Sequence, residues 1–312
     1  MDDPSFPVAG YSGCSELPKL DVAGSNPVAR SSVDVRIGES NTDYQSDPTH
    51  ISTSQLKDFV ESPPFFHRRH VLRVESFPPS EAMARGTLVH LCLELGWEAA
   101  GERIKVIPAE HLTGTGSLST KADTKKWVAD QGNSILVTPQ DAEFLGEVQS
   151  QCSLNKGVAK LLSSIAHKEV SIRWQRPDGI KLRCRPDAIT SEGRVVDYKT
   201  TKYRNPDKDF WRACQEYKYN LQSAFYQEGA AAAGFSGEPL IFVLISTVSP
   251  YTVVARTLPQ RFIDLGKSQM DRALADLSAR MAFGDWTPDG YGSVEELYVP
   301  EFCFKDTKGG QA

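Results

Sequence analysis

Most of the chain after residue 50 shows one of two hydrophobic periods. Where apolar residues recur at steps of three and four, a helix with one buried face is expected. The longest such segment lies near the C-terminus, and Gly266 falls on its apolar face, which predicts a close contact with another helix. Helices are predicted at about residues 52–61, 81–97, 138–152, 156–166, 212–233 and 260–281.

Shorter apolar runs that are rich in β-branched residues predict strands between these helices. Turn residues at 177–179 and 191–193 separate three of the strands. Strands are predicted at about residues 104–107, 169–174, 180–190, 194–200, 240–248 and 251–258. The order of elements, without an internal repeat, predicts one α/β domain with a mixed central sheet flanked by helices.

Neither period is visible in the first fifty residues, where Pro, Gly, Ser, Asn, Asp and Thr fill 27 positions. These residues carry three basic and eight acidic side chains, so the whole formal net charge of −5 belongs to them. Such a segment buries too little apolar surface to offset the entropy lost on ordering. We therefore expect a disordered acidic tail over 1–50, a folded domain over 51–305 and a flexible C-terminus over 306–312.

The composition is that of an ordinary globular protein. Hydrophobic residues make up 40% of the 312 positions, and no run of about 18 apolar residues exists, so no membrane span is expected. The first residues, MDDP, lack the basic and apolar regions of a signal peptide. The six cysteines are too far apart for a zinc knuckle, and a cytoplasmic location with reduced thiols is expected.

Two carboxylates, Asp187 and Asp197, lie on either side of the turn at 191–193. A three-residue loop with Gly193 in the left-handed position places them opposite each other on neighbouring strands. Opposed side chains have Cβ atoms about 5 Å apart, and like charges at that distance destabilise a sheet. A cation would relieve the repulsion, and oxygen ligands select Mg²⁺ or Mn²⁺ rather than Zn²⁺.

Lys199 follows Asp197 by two residues, so both side chains point to the same face of the strand. One ammonium beside two carboxylates suits metal-assisted phosphodiester hydrolysis, in which the metal lowers the pKa of a bound water and the lysine positions that water or stabilises charge. The alternative is a surface hairpin with an incidental ion pair. The spacing of Pro-Asp, nine residues and Asp-x-Lys is more specific than an isolated Asp-x-Lys and favours catalysis.

The sequence around this hairpin resembles a known group. The segments RPD (185–187) and VVDYKTT (195–201) resemble the core of the PD-(D/E)xK nucleases, and in particular the RecE-like exonuclease VIII family of phages and prophages. The segments ISTSQL (51–56), RGTLVH (85–90) and EYKYNLQSAFY (216–226) are similar to helices of that family. The resemblance covers about 51–305 and implies a restriction-endonuclease-like core of the RecB-like branch.

The resemblance also implies roles for residues outside the hairpin. In the RecB-like branch a histidine of an early helix binds the metal, and His90 stands at that place; the main-chain carbonyl of Tyr198 is a further implied ligand. Gln222 and Tyr226 form the Gln-x-x-x-Tyr signature on one helix face, which meets the substrate strand. A core histidine and a core tyrosine are the alternatives. Gly86, one turn before His90, would let that helix approach the sheet closely.

The charge around the hairpin favours an anionic substrate. Residues 168–218 have a net charge of +5, although a basic cluster alone is usually a solvated surface. Arg183 and Arg185 are expected on the same strand face as Asp187, where they would attract the phosphates of DNA. Glu169 is either an additional metal ligand or a solvated charge, and Glu94 is expected to be solvated.

A resemblance to RecE implies an Mg²⁺-dependent 5′-to-3′ exodeoxyribonuclease. Such an enzyme acts on the ends of linear double-stranded DNA and leaves a 3′ single strand for recombination by annealing, and Mn²⁺ is expected to substitute for Mg²⁺. The resemblance also implies a ring-shaped homo-oligomer and a RecT-like single-strand annealing protein as partner.

Two other functions remain open at this point. The first is a RecB-like endonuclease or a nuclease of the CRISPR-adaptation type. The latter usually binds an iron–sulfur cluster through several late cysteines, and since Cys303 is the only late cysteine here, no cluster is expected. The second is a catalytically silent DNA-binding subunit, against which the intact Asp187, Asp197 and Lys199 argue.

Overall fold

The computed structural model describes residues 33–75 and 81–288, and in addition residues 290, 292, 294, 296 and 299. The strands are β1 (Val33–Arg36), β2 (Ile51–Ser52), β3 (Ile104–Val106), β4 (Ile135–Val137), β5 (Ile165–Lys168), β6 (Ser171–Gln175), β7 (Lys181–Cys184), β8 (Ala188–Thr190), β9 (Val195–Thr201), β10 (Ile241–Ser246) and β11 (Val253–Thr257). The helices are α1 (Asn41–Ser46), α2 (Thr53–Glu61), α3 (Pro63–Phe66), α4 (Glu81–Leu95), α5 (Trp97–Arg103), α6 (Ala122–Asp130), α7 (Pro139–Leu154), α8 (Lys156–Ser163), α9 (Pro206–Glu216), α10 (Tyr219–Ala232) and α11 (Gln260–Phe283).

A five-stranded sheet of order β11-β10-β9-β8-β5 forms the centre of the fold. β9 and β10 run parallel and the other neighbours antiparallel, so the sheet is mixed. One face of β10, with Val243, packs against α4 and α7, and the other, with Phe242, packs against α9, α10 and α11. All six residues of β10 are therefore buried. The predicted α/β domain with a mixed sheet between helices is confirmed.

A second sheet has four strands in the order β1-β6-β7-β2. Its apolar face joins α2, α10 and α11 in one cluster that includes Phe59, Trp174, Phe225 and Leu274. Helix α10 thus packs against both sheets and connects them. A separate parallel pair, β3 and β4, lies outside both sheets.

The hairpin of β8 and β9 has the predicted register. Ala188 pairs with Val196 and Ile189 pairs with Val195, so the positions that follow outward are 187 and 197. Gly193 closes the loop with φ 78°, the left-handed conformation that glycine adopts without a steric penalty.

The strands before this hairpin are shorter than predicted. The expected strand over 180–190 is two strands, β7 and β8, which belong to different sheets. Residues 185–187 interrupt it, and Pro186 cannot donate a hydrogen bond to a neighbouring strand. The expected strand over 169–174 begins only at Ser171 as β6, because Glu169 has φ 52° and separates β5 from β6.

Three predicted helices also end elsewhere than expected. The helix expected over 212–233 is divided into α9 and α10, because Lys218 between them has φ 51°. Helix α9 also begins earlier than expected, at Pro206, where the Asn205 side chain caps it. The helix over 81–97 is broken at Gly96, with φ 88°. The helix over 156–166 ends at Ser163, and β5 follows. Helices α3 and α6 and strand β4 have no counterpart in the sequence prediction.

The expected disordered tail over 1–50 is wrong for residues 33–50, while residues 1–32 lie outside the described residues. β1 pairs with β6, and α1 buries Tyr44, which is 6% exposed. Polar contacts add to this order, because Glu39 and Asp47 both bind Arg173 of β6.

Two close approaches predicted from glycine are present. A Cβ at Gly266 would lie 2.2 Å from the carbonyl oxygen of Asn220, so α10 and α11 can pack at this distance only with glycine there. A Cβ at Gly86 would lie 3.2 Å from Oγ1 of Thr200, which places α4 directly against β9. Within the described residues, no helix has the length and apolar content needed to cross a bilayer.

Candidate active site

A cleft of about 330 Å³ lies between the two sheets, and the two aspartates and the lysine of the hairpin line it. β9 contributes Asp197 and Lys199, and the segment after β7 contributes Arg185 and Asp187. Helix α10 contributes Gln222 and Tyr226. The remaining lining residues are Asn41, Tyr44, Gln45, Ser52, Thr53, Ser54, Lys57 and Glu169.

Asp187 is held by groups on both sides of the hairpin. Its Oδ2 accepts a hydrogen bond from the main-chain N–H of Tyr198 at 2.5 Å, and its Oδ1 lies 3.3 Å from Nδ1 of His90. Burial alone would raise the pKa of Asp187, but the hydrogen bond and positive charge of His90 hold it below its ordinary value. The group is therefore a carboxylate at neutral pH.

Asp197 and Lys199 form an ion pair inside the cleft, as expected for two residues on one strand face. Nζ of Lys199 lies 2.5 Å from Oδ2 of Asp197, and the aspartate is 3% exposed. Burial raises the pKa of Asp197 above its ordinary value, and the neighbouring charge of Asp187 adds to this. Burial would lower the pKa of Lys199, but the charge of Asp197 holds it above its ordinary value, so the lysine is an ammonium.

Gln222 does not lie on an open substrate face, since it is 4% exposed. Its Nε2 donates to Oδ1 of Asp197 at 2.8 Å, and its Oε1 accepts from Nζ of Lys57 at 2.8 Å. The amide therefore fixes the orientation of the Asp197 carboxylate and connects it to a second lysine. In this structure Gln222 positions an acid rather than offering its amide to DNA.

Lys57 is a site residue that the sequence reasoning missed. Its ammonium lies 5.0 Å from the centre of the Tyr219 ring, and the ammonium of Lys199 lies 5.3 Å from the same ring. Burial, followed by the repulsion of Lys199, lowers the pKa of Lys57 to about 7. A lysine in a helix that begins with two serines and a threonine resembles a solvated charge, and no local signal distinguishes it.

His90 lies at the site, as the resemblance implied. Its Nε2 is 3.0 Å from the carbonyl oxygen of Tyr198, and its Nδ1 faces Asp187. Both ring nitrogens thus face oxygen acceptors, which a protonated imidazole satisfies. Burial opposes the charge, but the hydrogen bond to Asp187 raises the pKa of His90 above its ordinary value.

Arg183 is not placed for DNA binding. It is 2% exposed, its Nη1 donates to the carbonyl oxygen of Tyr44, and its guanidinium carbon lies 4.7 Å from the centre of the Tyr44 ring. The prediction failed because the expected strand is interrupted after Cys184, so alternation does not relate residue 183 to Asp187. Arg183 holds α1 against the second sheet.

Arg185 does line the cleft, where it pairs with Glu169. Its Nε lies 2.7 Å from Oε2 of Glu169. Burial and the negative charge of Asp187 nevertheless raise the pKa of Glu169 to about 7. The hydroxyl of Tyr226 donates to the carbonyl oxygen of Arg185 at 3.5 Å, which is long for a hydrogen bond. Glu94 is exposed, as expected.

The donor set at the hairpin suits a hard divalent cation. Carboxylate oxygens of Asp187 and Asp197, the carbonyl oxygen of Tyr198 and a nitrogen of His90 converge, and oxygen donors are those that Mg²⁺ and Mn²⁺ prefer. Oδ2 of Asp197 is buried and has no hydrogen-bond partner other than the ammonium at its side. Within the described part of the chain, no group of three or more His, Cys, Asp and Glu side chains has the geometry of a metal site. Asp187 is paired with His90 and Asp197 with Lys199.

Two opposed aspartates, a lysine on the same strand face and a mixed sheet between helices are the features of a PD-(D/E)xK nuclease. The family model described as the PD-(D/E)XK nuclease superfamily matches residues 50–296, and the chain belongs to that superfamily. Nucleases of this superfamily generally use divalent metal ions. No match was found among curated proteins.

Two solved structures are similar to this chain. A candidate exonuclease from Eubacterium rectale is 17% identical with a TM-score of 0.51, and the alignment covers 87% of this chain and 100% of that one. A phage-related exonuclease from Haemophilus somnus 129PT is 14% identical with a TM-score of 0.28, and the alignment covers 63% of this chain and 95% of that one. The first similarity supports the fold; the second is too low to support an argument.

Proposed function

We propose that this protein is a metal-dependent exodeoxyribonuclease that degrades linear double-stranded DNA from 5′ to 3′ and leaves a 3′ single strand for annealing. The observation that carries the proposal is the convergence of Asp187, Asp197 and Lys199 in one cleft, where the two carboxyl groups have pKa values shifted in opposite directions. Neighbouring acids with perturbed pKa values in a cleft are typical of functional sites.

The residues around the reaction centre have separable tasks. A divalent cation bound by the two aspartates and the Tyr198 carbonyl would lower the pKa of a bound water and polarise the phosphate. Lys199 stays an ammonium, so it stabilises negative charge in the transition state and does not accept a proton. Gln222 keeps Asp197 in place, and Arg185, which lines the cleft beside Glu169, would offer positive charge to the DNA backbone.

The proposal is tested by incubating the purified protein with linear duplex labelled at either the 5′ or the 3′ end. We expect Mg²⁺-dependent release of the 5′ label first, support of the reaction by Mn²⁺, and no cleavage of closed circular DNA. Cleavage of closed circles would indicate a RecB-like endonuclease instead. Binding of duplex without degradation in either metal would indicate a silent DNA-binding subunit.

The proposed role extends to partners and place of action. We expect a ring-shaped homo-oligomer, a RecT-like single-strand annealing protein as partner, and action in the cytoplasm of a phage-carrying cell. Light scattering of the purified protein tests the first of these expectations, and co-purification with an annealing protein tests the second. A monomer in solution at all concentrations would remove the ring from the proposal without affecting the chemistry.

A further inference from the structure

A groove runs along the outer face of α11, and the residues that line it differ from those that line the catalytic cleft. Two adjoining cavities of about 560 and 570 Å³ form the groove, and Gln215, Phe262 and Leu265 line both of them. Helix α11 contributes residues at steps of three and four from position 262 to position 276, a length of about 21 Å. Helix α9 and the end of β11 form the wall at one end, and α2 and α3 form it at the other. The groove thus has the length of a short helix.

Large apolar side chains are exposed along this groove. Trp211 of α9 is 54% exposed, Leu265 of α11 is 45% exposed and Val60 of α2 is 38% exposed. Helix α11 has two apolar stripes: one, with Ile263, is buried in the core, and the other, with Phe262 and Leu265, faces the groove. Exposed apolar groups that cluster on a surface mark interaction sites, whereas isolated ones need no explanation.

The charged groups of the groove are matched unevenly. Both carboxylates that line it are already paired, Asp207 with Arg256 at 2.5 Å and Asp276 with Arg280 at 3.1 Å. Three lining cations have no carboxylate partner among the residues that the structure describes, and these are Lys218, Arg261 and Arg272. The groove therefore presents unmatched positive charge beside apolar surface.

We propose that this groove binds an amphipathic helix of another protein, with apolar residues on one face and acidic residues along the edges of that face. Apolar side chains on successive turns of such a helix would pack on Phe262 and Leu265, which is the mode of binding of a helix in an apolar groove. Its Asp and Glu side chains would face the three unmatched cations. Apolar burial would supply most of the affinity, and the charges would select the partner.

Two other occupants fit the groove less well. A symmetric pair of copies of this chain through this face would bring the unmatched cations of both copies together, and like charges across an interface repel. A single strand of nucleic acid would find few stacking surfaces, since Val60 and Leu265 offer no flat ring to a base. Acidic residues on an apolar helix match both the charge and the surface.

Two helices separate the groove from the catalytic cleft. In α2, Lys57 lines the cleft and Val60 lines the groove. In α10, Gln222 lines the cleft and Asn220 lines the groove. A helix bound in the groove therefore leaves the two aspartates accessible, so the partner would be held beside a working site. The inference goes beyond the proposed function and requires no assumption about the substrate.

The test measures binding of three fluorescein-labelled synthetic peptides to the full-length protein by anisotropy. Each has about 18 residues, enough for a helix somewhat longer than the groove. The first carries Leu and Phe at helical spacing with Glu beside them, the second has Lys in place of Glu, and the third has Ser in place of Leu and Phe. We expect the first peptide to bind at least about tenfold more tightly than either of the others, and its affinity to fall as the salt concentration rises.

Four variants locate the binding on the protein. Leu265→Ser and Arg261→Glu should each weaken binding of the first peptide by about tenfold, because they remove apolar surface and reverse a charge in the groove. Phe283→Ser and Lys267→Glu are the matched controls, since they change an exposed apolar residue and an exposed cation of the same helix outside the groove. Both controls should bind the peptide as the unchanged protein does, and all four variants should keep its rate of DNA degradation.

Four results would overturn the inference. Two are similar binding of the acidic and the basic peptide, and unchanged binding in a folded Leu265→Ser protein. The third is binding of oligothymidylate, but not of the first peptide, that falls in Leu265→Ser and Arg261→Glu, which would make the groove a nucleic-acid site. The fourth is self-association in sedimentation velocity that is lost in Leu265→Ser, which would make the groove a contact between copies.

The outcome for the groove is independent of the outcome for the nuclease. A protein that binds the first peptide as expected but degrades no DNA would refute the proposed function and leave the helix-binding groove in place. A protein that degrades DNA but binds none of the three peptides would refute the groove alone.

Discussion

Two clusters of largely buried charge in the described part of the chain differ in how completely the charges are matched. In the first, Arg173 binds Glu39 at 2.9 Å and Asp47 at 2.7 Å, and these side chains are 6%, 5% and 12% exposed. Burial would raise the pKa of both carboxyl groups. Hydrogen bonds and the charge of Arg173 hold the pKa of Glu39 below its ordinary value. Hydrogen bonds with His50, Thr49 and Arg173 do the same for the pKa of Asp47.

In the cleft, the carboxylates are not fully neutralised by the positive charges of the chain. Asp197 is buried and Asp187 is half-buried, and their pKa values move in opposite directions, up for Asp197 and down for Asp187. A cluster whose charges are satisfied by the chain stabilises the fold, whereas one that needs a further cation can bind and activate a ligand. The structural and the catalytic cluster therefore differ in whether the chain itself satisfies their charges, and not in how deeply those charges are buried.

The largest expected effect comes from removing charge in the cleft. Lys199→Ala and Asp197→Ala should each reduce Mg²⁺-dependent degradation of linear duplex by about a thousandfold, equivalent to about 4 kcal/mol in transition-state free energy. Circular dichroism should show an unchanged fold. Lys267→Ala removes an exposed lysine as a control and should keep full activity. Unchanged activity in either cleft variant would show that the catalytic site has been assigned wrongly.

A smaller effect, on stability rather than chemistry, is expected at the other cluster. Arg173→Met leaves Glu39 and Asp47 buried without their counter-charge, which should reduce the free energy of unfolding by about 3 kcal/mol. Urea unfolding measures this change. The rate per folded molecule should stay the same, and a loss of rate equal to that of Lys199→Ala would show that the two clusters are not separate.

Loss of the Gln222 amide, which orients Asp197, should reduce the nuclease activity by an intermediate amount. Gln222→Leu removes the hydrogen bond to Asp197 and the acceptor of Lys57, and we expect a loss of about 10- to 100-fold in activity. Gln269→Leu, which removes an amide that accepts from Asn220 outside the cleft, is the matched control and should change the rate little. If the two variants behaved alike, Gln222 would have only a packing role.

The smallest expected effect is a pH dependence of the stability that the cluster around Arg173 contributes. The pKa of Asp47 in the folded protein lies below its ordinary value of 3.8, so its contribution to stability is complete above that value and is lost as the pH falls toward the folded pKa. The difference in unfolding free energy between the unchanged protein and Asp47→Asn, which cannot titrate at this position, should therefore shrink by about 1 kcal/mol from pH 5 to pH 3. Urea titrations at both pH values measure it, and a constant difference would contradict the pKa assignment.

The features that the sequence predicted correctly are those that depend on residues close together in the chain. The register of the hairpin follows from Gly193 and the spacing of the aspartates, and Gly266 indicated the helix contact because only the missing side chain makes it possible. Arg183 was placed wrongly because the strand is interrupted three residues before Ala188. Alternation of faces holds only along a continuous strand.

What the sequence could not predict depends on residues far apart. The segment 33–50 looked disordered because its partners are distant in sequence: β1 pairs with β6, and Asp47 binds Arg173, which lies 126 positions after it. Lys57 looked solvated because its amide partner lies 165 positions away. Composition counts the charges in a segment but carries no information on the partners that fold against it.

The contacts of Arg173 also restrict how this family of chains can diverge. A change at position 39 or 47 leaves a buried arginine without its carboxylate, and a change at 173 leaves two carboxylates without their cation. Substitutions at these three positions should therefore occur together among relatives. Relatives that lack a segment equivalent to 33–47 should carry an uncharged residue in place of Arg173, so this segment and strand β6 are expected to change together.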